Sequence, residues 1–222
     1  MYQILKIILR LAKNPQIILD NRGYIFILSH MRSRSTLLAH ILGSNPEIGG
    51  YFELHKSYLN WLDLIILRLR VQLDNKNIKF ALDKILWNRL QISEKICLKE
   101  NLKIIFLLRK PEDTIKSIIN MGNCLGNQGY KNYQWITNYY CSRLENLIYY
   151  SSKIRPQNGL FIESDKIIQD TDHVLSYLST WLGLSKRLNS HYLLFKKTGV
   201  RGMGDPLNNI TKGKIIKKNI RI

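Results

Sequence analysis

The sequence contains little cysteine, few acidic residues and no long apolar run. Its three cysteines, Cys97, Cys124 and Cys141, are an odd number and form no Cys-x-x-Cys pair. None of the five histidines stands at ligand spacing beside them. These absences argue against a disulfide framework and against a structural zinc site. Reduced thiols in a cytoplasmic protein are therefore the simplest interpretation.

Acidic residues are scarce relative to basic ones. Only 16 Asp and Glu oppose 34 Lys and Arg, which leaves a formal net charge of +18. This balance favours an anionic partner, but a nucleotide, a nucleic acid, an anionic membrane surface and an acidic glycan all fit it equally well. The chain is also rich in Ile and Asn, a composition bias that itself favours Lys. Net charge alone therefore does not choose the partner.

The start of the chain lacks an apolar run long enough to cross a bilayer. The uninterrupted stretch Ile7–Leu9 is too short, and no small-residue cleavage site follows it. Three basic residues recur at helical spacing: Lys6, Arg10 and Lys13. The pattern predicts an amphipathic helix or extension over residues 1–22. Two placements stay open for Met1–Lys13, peripheral contact with a membrane surface or packing on the domain with its lysines in water.

Apolar segments of strand length alternate with longer helical patterns, without an internal repeat or a low-complexity linker. The predicted strands are Tyr24–Ser29, Ile48–Phe52, Ile78–Leu82, Lys103–Leu108 and Gly159–Glu163. The predicted helices are Ser35–Leu42, His55–Leu73, Glu112–Met121, Lys131–Ser152 and Asp172–Leu182. This alternation predicts an α/β fold with a mainly parallel central sheet of about five strands flanked by helices. One domain over residues 23–215 and a basic tail over residues 216–222 are expected, with ligands bound beyond the carboxyl ends of the strands.

The segment between the first strand and the first helix, Ser29–Thr36, reads SHMRSRST. A tight strand-to-helix turn exposes backbone N–H groups, and the helix dipole favours an anion there. The alternative is a polar helix cap that carries arginines. The spacing resembles a Walker A loop of P-loop NTPase-like folds, but Arg34-Ser35-Thr36 replaces Gly-Lys-Ser/Thr and the basic residue has moved upstream to Arg32. The missing lysine argues against an ordinary ATPase or kinase.

Two motifs resemble those of sulfotransferases. Arg32-Ser33-Arg34-Ser35-Thr36-Leu37-Leu38 is similar to the 5′-phosphosulfate loop of that family, with Arg34 where Gly is commoner. Phe106–Ser117 resembles its 3′-phosphate motif, in which an Arg ends a strand and a Ser follows eight positions later. Here these are Arg109 and Ser117, with Pro111 at a helix start, so that both side chains can meet across one phosphate. The alternative is Arg109 capped by Glu112 or Asp113.

Further segments fit the same resemblance. Glu53 follows an Asn-Pro-Glu-Ile step, and the resemblance implies that it takes the proton from an acceptor hydroxyl. His55 is the rival base, and a solvated loop Glu is the alternative. Asp83-Lys84 ends the third predicted strand, where Lys84 is expected to stabilise charge on the leaving bridge oxygen; an ordinary strand-end lysine is the alternative.

The Gly-rich segment Thr198–Pro206 is similar to the C-terminal Gly-Asp loop of sulfotransferases that closes over the 3′-phosphate. The contacts expected from it are Arg201, Gly202 and Gly204. Lys196 and Lys197 also lie close by in the sequence, so which basic side chain contacts the phosphate stays open. The alternative is a flexible basic tail over Lys212–Ile222.

The resemblance runs from Gly23 to Ile215 and implies a PAPS-dependent enzyme. A sulfotransferase moves the sulfuryl group of PAPS (3′-phosphoadenosine 5′-phosphosulfate) to a hydroxyl or amine by in-line displacement and releases PAP (adenosine 3′,5′-bisphosphate). The resemblance implies no metal, since cationic side chains do the work of magnesium, and a small-molecule, glycan or other hydroxyl-bearing acceptor rather than a nucleic acid. In the resemblance, Ser35 and Thr36 hold the 5′-phosphate, and the cofactor-binding residues of this loop are Arg32, Ser33, Arg34, Ser35 and Thr36. The expected catalytic groups are Glu53, His55, Arg32 and Lys84, and Trp87 is a candidate for the adenine slot.

Three alternatives remain at this stage. A divergent P-loop nucleotide kinase needs a magnesium-binding carboxylate at a strand end, and Asp83 and Asp165 are its candidates. A basic nucleic-acid-binding domain explains the charge but leaves the spacing of Arg109 and Ser117 unexplained. A non-catalytic nucleotide-binding protein is expected instead if Glu53 points away from the site.

Overall fold

The computed structural model describes residues 22–71, 78–200, 207 and 209–216. The predicted helix at Met1–Lys13, the three predicted contacts Arg201, Gly202 and Gly204, and residues 217–222 of the predicted basic tail lie outside the described residues. None of the described helices is both long and apolar enough to cross a membrane.

The core of the protein is one five-stranded sheet in which every strand pairing is parallel. The strands are β1 (Gly23–Ser29), β2 (Ile48–Gly49), β3 (Phe80–Ile85), β4 (Leu102–Leu108) and β5 (Gly159–Glu163), in the spatial order β2-β3-β1-β4-β5. The α/β fold class predicted from the sequence is confirmed. With β1 at the centre, the order along the sheet reverses there, so the loop after β1 lies at the switch point where such folds bind ligands.

Helices cover both faces of the sheet. They are α1 (Ser35–Gly43), α2 (Trp61–Val71), α3 (Glu94–Cys97), α4 (Pro111–Leu125), α5 (Tyr133–Lys153), α6 (Lys166–Gln169) and α7 (Thr171–Trp181). Short 3-10 turns lie at Gln128–Lys131, Pro156–Asn158 and Asn209–Lys212. Phe26 packs with side chains of α2 and α5, whereas its neighbours Ile25 and Ile27 pack with those of α1 and α7. This explains why β1 is buried throughout and apolar almost without interruption.

Helix α2 begins later than predicted, at Trp61 instead of His55. Asn60 and Asp63 form a reciprocal cap: the Asn60 side chain accepts from Leu62 N at 3.0 Å, and the Asp63 carboxylate accepts from Leu59 N at 2.9 Å. Leu59 and Leu62 lie within the helix predicted over His55–Leu73, but both are about half exposed and do not belong to its buried face. The buried face is formed instead by Leu64, Leu67 and Val71.

Strand β3 is also shifted relative to its prediction. It runs to Ile85, so Asp83 and Lys84 lie inside the strand and are almost fully buried, instead of ending it. Their polar groups are satisfied there, since the Asp83 carboxylate accepts three hydrogen bonds and the Lys84 ammonium donates to a hydroxyl. A buried charge is tolerated when it is hydrogen-bonded in this way, and the strand continues through the polar pair.

Candidate active site at the carboxyl edge of the sheet

Two arginines in the loop after β1 have an unusual backbone conformation. Arg32 and Arg34 have φ angles of 62° and 64°, in the left-handed region that favours glycine. Such a conformation costs a non-glycine residue about 1 kcal/mol or more. Arg34 therefore takes the backbone shape that the commoner glycine would give, and its side chain leaves the loop instead of crowding it. Its guanidinium pairs with Asp165 at 2.5 Å and donates to Ser164 Oγ at 3.2 Å.

Hydroxyl groups hold this loop to the end of the sheet. Ser29 Oγ donates to Leu107 O at 2.7 Å, so in its short contact with the Ser33 hydroxyl the Ser33 side must be the donor. The Ser33 hydroxyl, which the sequence assigned to a ligand, is therefore used inside the loop. Ser35 and Thr36 are the first residues of α1, where the backbone N–H groups have no partner within the helix.

His30 links the ends of β1 and β4 and was not singled out from the sequence. Its Nδ1 lies 2.8 Å from Met31 O and therefore donates, so Nε2 accepts from Arg109 N at 3.1 Å. Burial lowers the pKa of His30 to about 4. The neutral ring thus fixes where the Arg109 side chain begins.

We expect His30 to make stability fall with acidity. Because its folded pKa of about 4 is below the unfolded value of 6.5, the unfolded chain binds the proton first as pH falls through this range. Folding then loses about 3 kcal/mol between pH 7 and pH 4. His30→Gln, whose amide can also donate and accept, should remove this contribution. Urea denaturation of both proteins from pH 4 to pH 7 measures it as the difference in slope, and parallel pH profiles would contradict it.

Three basic or hydroxyl residues predicted to bind the nucleotide form one cluster. Arg32 Nε donates to Ser117 Oγ at 3.1 Å, and Arg109 Nη1 donates to Arg32 O at 3.3 Å. Arg109 pairs with Asp165, at 4.0 Å from Nε, and not with Glu112 or Asp113 of the following helix. Within the described part of the chain, the buried Nε of Arg109 donates no hydrogen bond.

The Arg109 cluster is electrostatically short of anions. Burial and the charges of Arg34 and Arg32 lower the pKa of Arg109, whereas Asp165 and Asp113 act in the opposite direction. Asp165 is the carboxylate that pairs with both Arg34 and Arg109, through Oδ1, and within the described part of the chain its Oδ2 and the Arg109 Nε are buried without a hydrogen bond. A phosphate would supply both the charge and the acceptor.

A second group of predicted residues meets around Lys84. Its ammonium is buried and donates to Thr36 Oγ1 at 2.8 Å, which joins β3 to the start of α1. Glu53 is 4% exposed and its Oε1 lies 3.2 Å from His55 Nδ1. Burial raises the pKa of Glu53, while the charges of Lys84 and His55 oppose the rise. The two rival bases are therefore side by side, and Glu53 is not a solvated loop residue.

Asp83 anchors the segment that carries Glu53. Its carboxylate accepts from Tyr58 Oη at 2.6 Å, from Leu54 N at 3.0 Å and from Lys84 N at 2.8 Å. Burial raises the pKa of Asp83 to about 7 despite these bonds. Both carboxylates on which a kinase would rely are thus engaged, Asp83 in this network and Asp165 with arginines. Among the described residues no three His, Cys, Asp or Glu side chains cluster as metal ligands would.

Two side chains of α5 hold the loops together and were missed from the sequence. Arg143 is fully buried and donates to Ser29 O at 2.8 Å and to Ile85 O at 2.6 Å, the last residues of β1 and β3. Tyr139 Oη accepts from Met31 N at 2.9 Å and donates to Leu86 O at 2.8 Å. Both fix the β1 loop relative to β3. The only sequence signal is their place on the inward face of α5.

The chain that precedes the predicted Gly-rich loop is docked on α1. His40 Nδ1 donates to Thr36 O at 2.8 Å, which leaves Nε2 to accept from Thr198 Oγ1 at 3.0 Å. Phe195 stacks on Tyr51 with ring centroids 4.0 Å apart. The segment thus approaches the same helix whose first turn contributes Thr36, and the predicted contacts from residue 201 onward lie beyond the described part.

Comparisons with known proteins identify the fold. No protein-family model and no curated protein matches the chain. Among solved structures, a sulfotransferase domain from the curacin biosynthetic pathway matches with a TM-score of 0.60 and 20% identity over 88% of both chains. A sulfotransferase domain from the Synechococcus PCC 7002 olefin synthase matches with a TM-score of 0.55 and 18% identity, over 89% of this chain and 86% of that one. The chain therefore has the fold of these domains.

Proposed function

We propose that this protein is a sulfotransferase that uses PAPS as donor and transfers the sulfuryl group to a hydroxyl or amine. The fold is that of two sulfotransferase domains. The observation that carries the proposal is a pair of cationic sites along the loop after β1: Lys84 of β3 contacts Thr36 at its end, and Arg109 and Ser117 contact Arg32 within it. A nucleotide phosphorylated at both 5′ and 3′ positions requires two such sites.

The residues fit this donor. The buried Nε of Arg109, which donates no hydrogen bond in the described part of the chain, supplies a donor for the 3′-phosphate. The Ser117 hydroxyl accepts from Arg32 in the same cluster and is therefore within reach of the same phosphate. The first turn of α1, with Ser35 and Thr36, receives the 5′-phosphate at the positive end of the helix dipole. The Lys84–Thr36 hydrogen bond is buried, and those that join Arg32 to Ser117 and Arg109 are partly buried. The side chains of both sites are therefore held in place before a ligand binds, which lowers the entropic cost of binding.

The chemistry assigned to the chain is proton removal and charge stabilisation. The donor supplies an activated sulfuryl group, with a phosphate as the leaving group. Glu53 takes the proton from the acceptor, because burial raises its pKa and makes the carboxylate a stronger base. Lys84, held against Thr36, stabilises negative charge beside the 5′-phosphate. Arg32 contacts Ser117, so its main role is assigned at the 3′-phosphate. Because it also lies in the loop that binds the 5′-phosphate, a second role in stabilising the transferring sulfuryl group is assigned to it.

The reaction is proposed for a cytoplasmic protein whose cysteines are reduced. Cys97, Cys124 and Cys141 are free thiols. Contact of Met1–Lys13 with a membrane surface stays a proposal, as does the absence of a nucleic-acid partner.

We expect adenosine 3′,5′-bisphosphate to raise the thermal stability of the protein. At a hundredfold excess over its dissociation constant it should stabilise the folded state by about 3 kcal/mol. Magnesium-ATP and duplex DNA, tested in parallel at the same ionic strength, should give smaller shifts. A clear shift with magnesium-ATP and none with the bisphosphate would favour the kinase alternative, whereas a dominant shift with DNA would favour the nucleic-acid alternative.

A further inference from the structure

Four basic side chains oppose the rise that burial causes in the pKa of Glu53: Lys84, His55, Arg89 and Arg143. Lys84 donates to Thr36, and Arg143 donates to backbone carbonyls at the ends of two strands. His55 pairs with Glu53 itself. Arg89 differs from these three, because it is an exposed side chain with no ion pair within the described part of the chain.

Arg89 stands at the tip of a short turn that the protein holds rigidly. Leu90 N donates to Trp87 O at 3.0 Å, which closes the turn. Between them, Asn88 accepts from Arg143 Nη1 at 3.2 Å and donates to Ser142 Oγ at 3.3 Å. Arg143 therefore holds both the ends of β1 and β3 and this turn. As a result, Arg89 has a fixed position relative to the carboxyl edge of the sheet.

The turn is also joined to the segment that carries the two candidate bases. Tyr58 N donates to Gln91 O at 2.7 Å, and Gln91 N donates to Ser57 Oγ at 3.1 Å. The Tyr58 hydroxyl in turn donates to Asp83, which fixes Leu54 beside Glu53. Two short links thus hold the Arg89 turn and the Glu53 segment at a constant separation.

A partly buried aromatic cluster lies next to this cation. The Arg89 guanidinium lies over the Trp87 ring, 5.6 Å from its centroid, and Trp87 packs against Tyr139 with centroids 5.5 Å apart. Tyr139 in turn stacks on the partly exposed Trp135 at 5.8 Å. Tyr139 is thus packed between two tryptophans and the core, whereas the partly buried Trp87, with the Arg89 guanidinium beside its ring, is suited to a ring-shaped ligand that carries an anionic group.

We propose that Arg89 and Trp87 form the acceptor subsite, and that the acceptor is a hydroxylated ring compound with a carboxylate that pairs with Arg89. Guanidinium and carboxylate geometry favours a bidentate pairing. Because two links join the Arg89 turn to the Glu53 segment, a ring bound at Arg89 is expected to direct one of its hydroxyls toward Glu53. Trp87 then belongs to the acceptor instead of the adenine slot. The role of this subsite as an acceptor site rests on the proposed function, but binding of the ring compound does not require the donor to be bound.

A matched pair of glycosides tests the subsite. 4-Nitrophenyl β-D-glucuronide and 4-nitrophenyl β-D-glucoside differ only in a carboxylate in place of a hydroxymethyl group. We expect calorimetric titration of the full chain to give about tenfold tighter binding of the glucuronide. Added salt should reduce this preference, because Arg89 is exposed. Both titrations are run with and without adenosine 3′,5′-bisphosphate.

Two variants separate the subsite from general positive charge. Arg89→Gln should reduce glucuronide binding to the level of the glucoside, whereas Arg155→Gln, which removes another exposed arginine that pairs with Glu100, should leave the preference intact. Equal binding of the two glycosides to the wild type, no binding of the glucuronide, or an unchanged preference in Arg89→Gln would each overturn the subsite. Failure of the bisphosphate to bind would instead overturn the proposed function, and it is measured separately.

Discussion

Glu53→Gln is expected to lower the rate of sulfuryl transfer by about a hundredfold to ten-thousandfold, the usual contribution of a positioned general base. The substitution keeps the size of the side chain but removes its ability to accept a proton. Glu53 is almost fully buried beside His55 and within the field of Lys84, so no water-exposed carboxylate can replace it at the same place. Release of adenosine 3′,5′-bisphosphate from PAPS in the presence of an acceptor measures the rate.

Binding of the bisphosphate provides the control for this variant. Its dissociation constant should change by less than about threefold in Glu53→Gln, because the carboxylate is not assigned to either phosphate. His55→Gln is the matched substitution of the neighbouring base. A normal rate in Glu53→Gln together with a large loss in His55→Gln would transfer the role of base to His55, and normal rates in both would leave the site without a base.

Arg109→Met is expected to weaken binding of adenosine 3′,5′-bisphosphate by about a hundredfold, or about 3 kcal/mol, because a desolvated charge pair with the 3′-phosphate is lost. Binding of adenosine 5′-monophosphate should change little, since the 5′-phosphate is assigned to Thr36 and Lys84. Titration calorimetry with both nucleotides gives the ratio directly. The ratio is informative because a merely structural loss would weaken both nucleotides together.

Lys110→Met is the matched control for Arg109→Met. Lys110 is the next residue in the chain, is exposed, and precedes α4. Its removal changes the net charge by the same amount and should leave the ratio of the two affinities unchanged. An equal effect of both substitutions would mean that the bisphosphate responds to overall charge and not to a built 3′-phosphate site.

The sequence predicts the frame of the site because its signals are local. An apolar strand followed by a polar loop and a helix indicates the β1–α1 turn, and the eight-residue spacing places Ser117 two helical turns after Arg109. Both depend on the geometry of neighbouring elements alone. The parallel sheet follows from the alternation of strands and helices and is confirmed.

What the sequence does not predict depends on contacts between distant parts of the chain. Asp165 contacts Arg34, 131 positions earlier, and Arg143 contacts Ser29, 114 positions earlier. Asp165 lies two residues after the end of β5, and the sequence indicates it only as a strand-end carboxylate, not as the partner of Arg34 and Arg109. The sequence pattern of α5 does not predict that Arg143 is buried, because its burial depends on hydrogen bonds to carbonyl groups of distant strands.

The most direct test of the central claim is the affinity of the wild-type protein for adenosine 3′,5′-bisphosphate relative to adenosine 5′-monophosphate. Separate residues are assigned to the two phosphates, and the buried Nε of Arg109, which donates no hydrogen bond in the described part of the chain, is assigned to the 3′-phosphate. The bisphosphate is therefore expected to bind at least about a hundredfold more tightly in calorimetric titration. Equal affinities would contradict it, because a site that ignores the 3′-phosphate is not built for this sulfate donor.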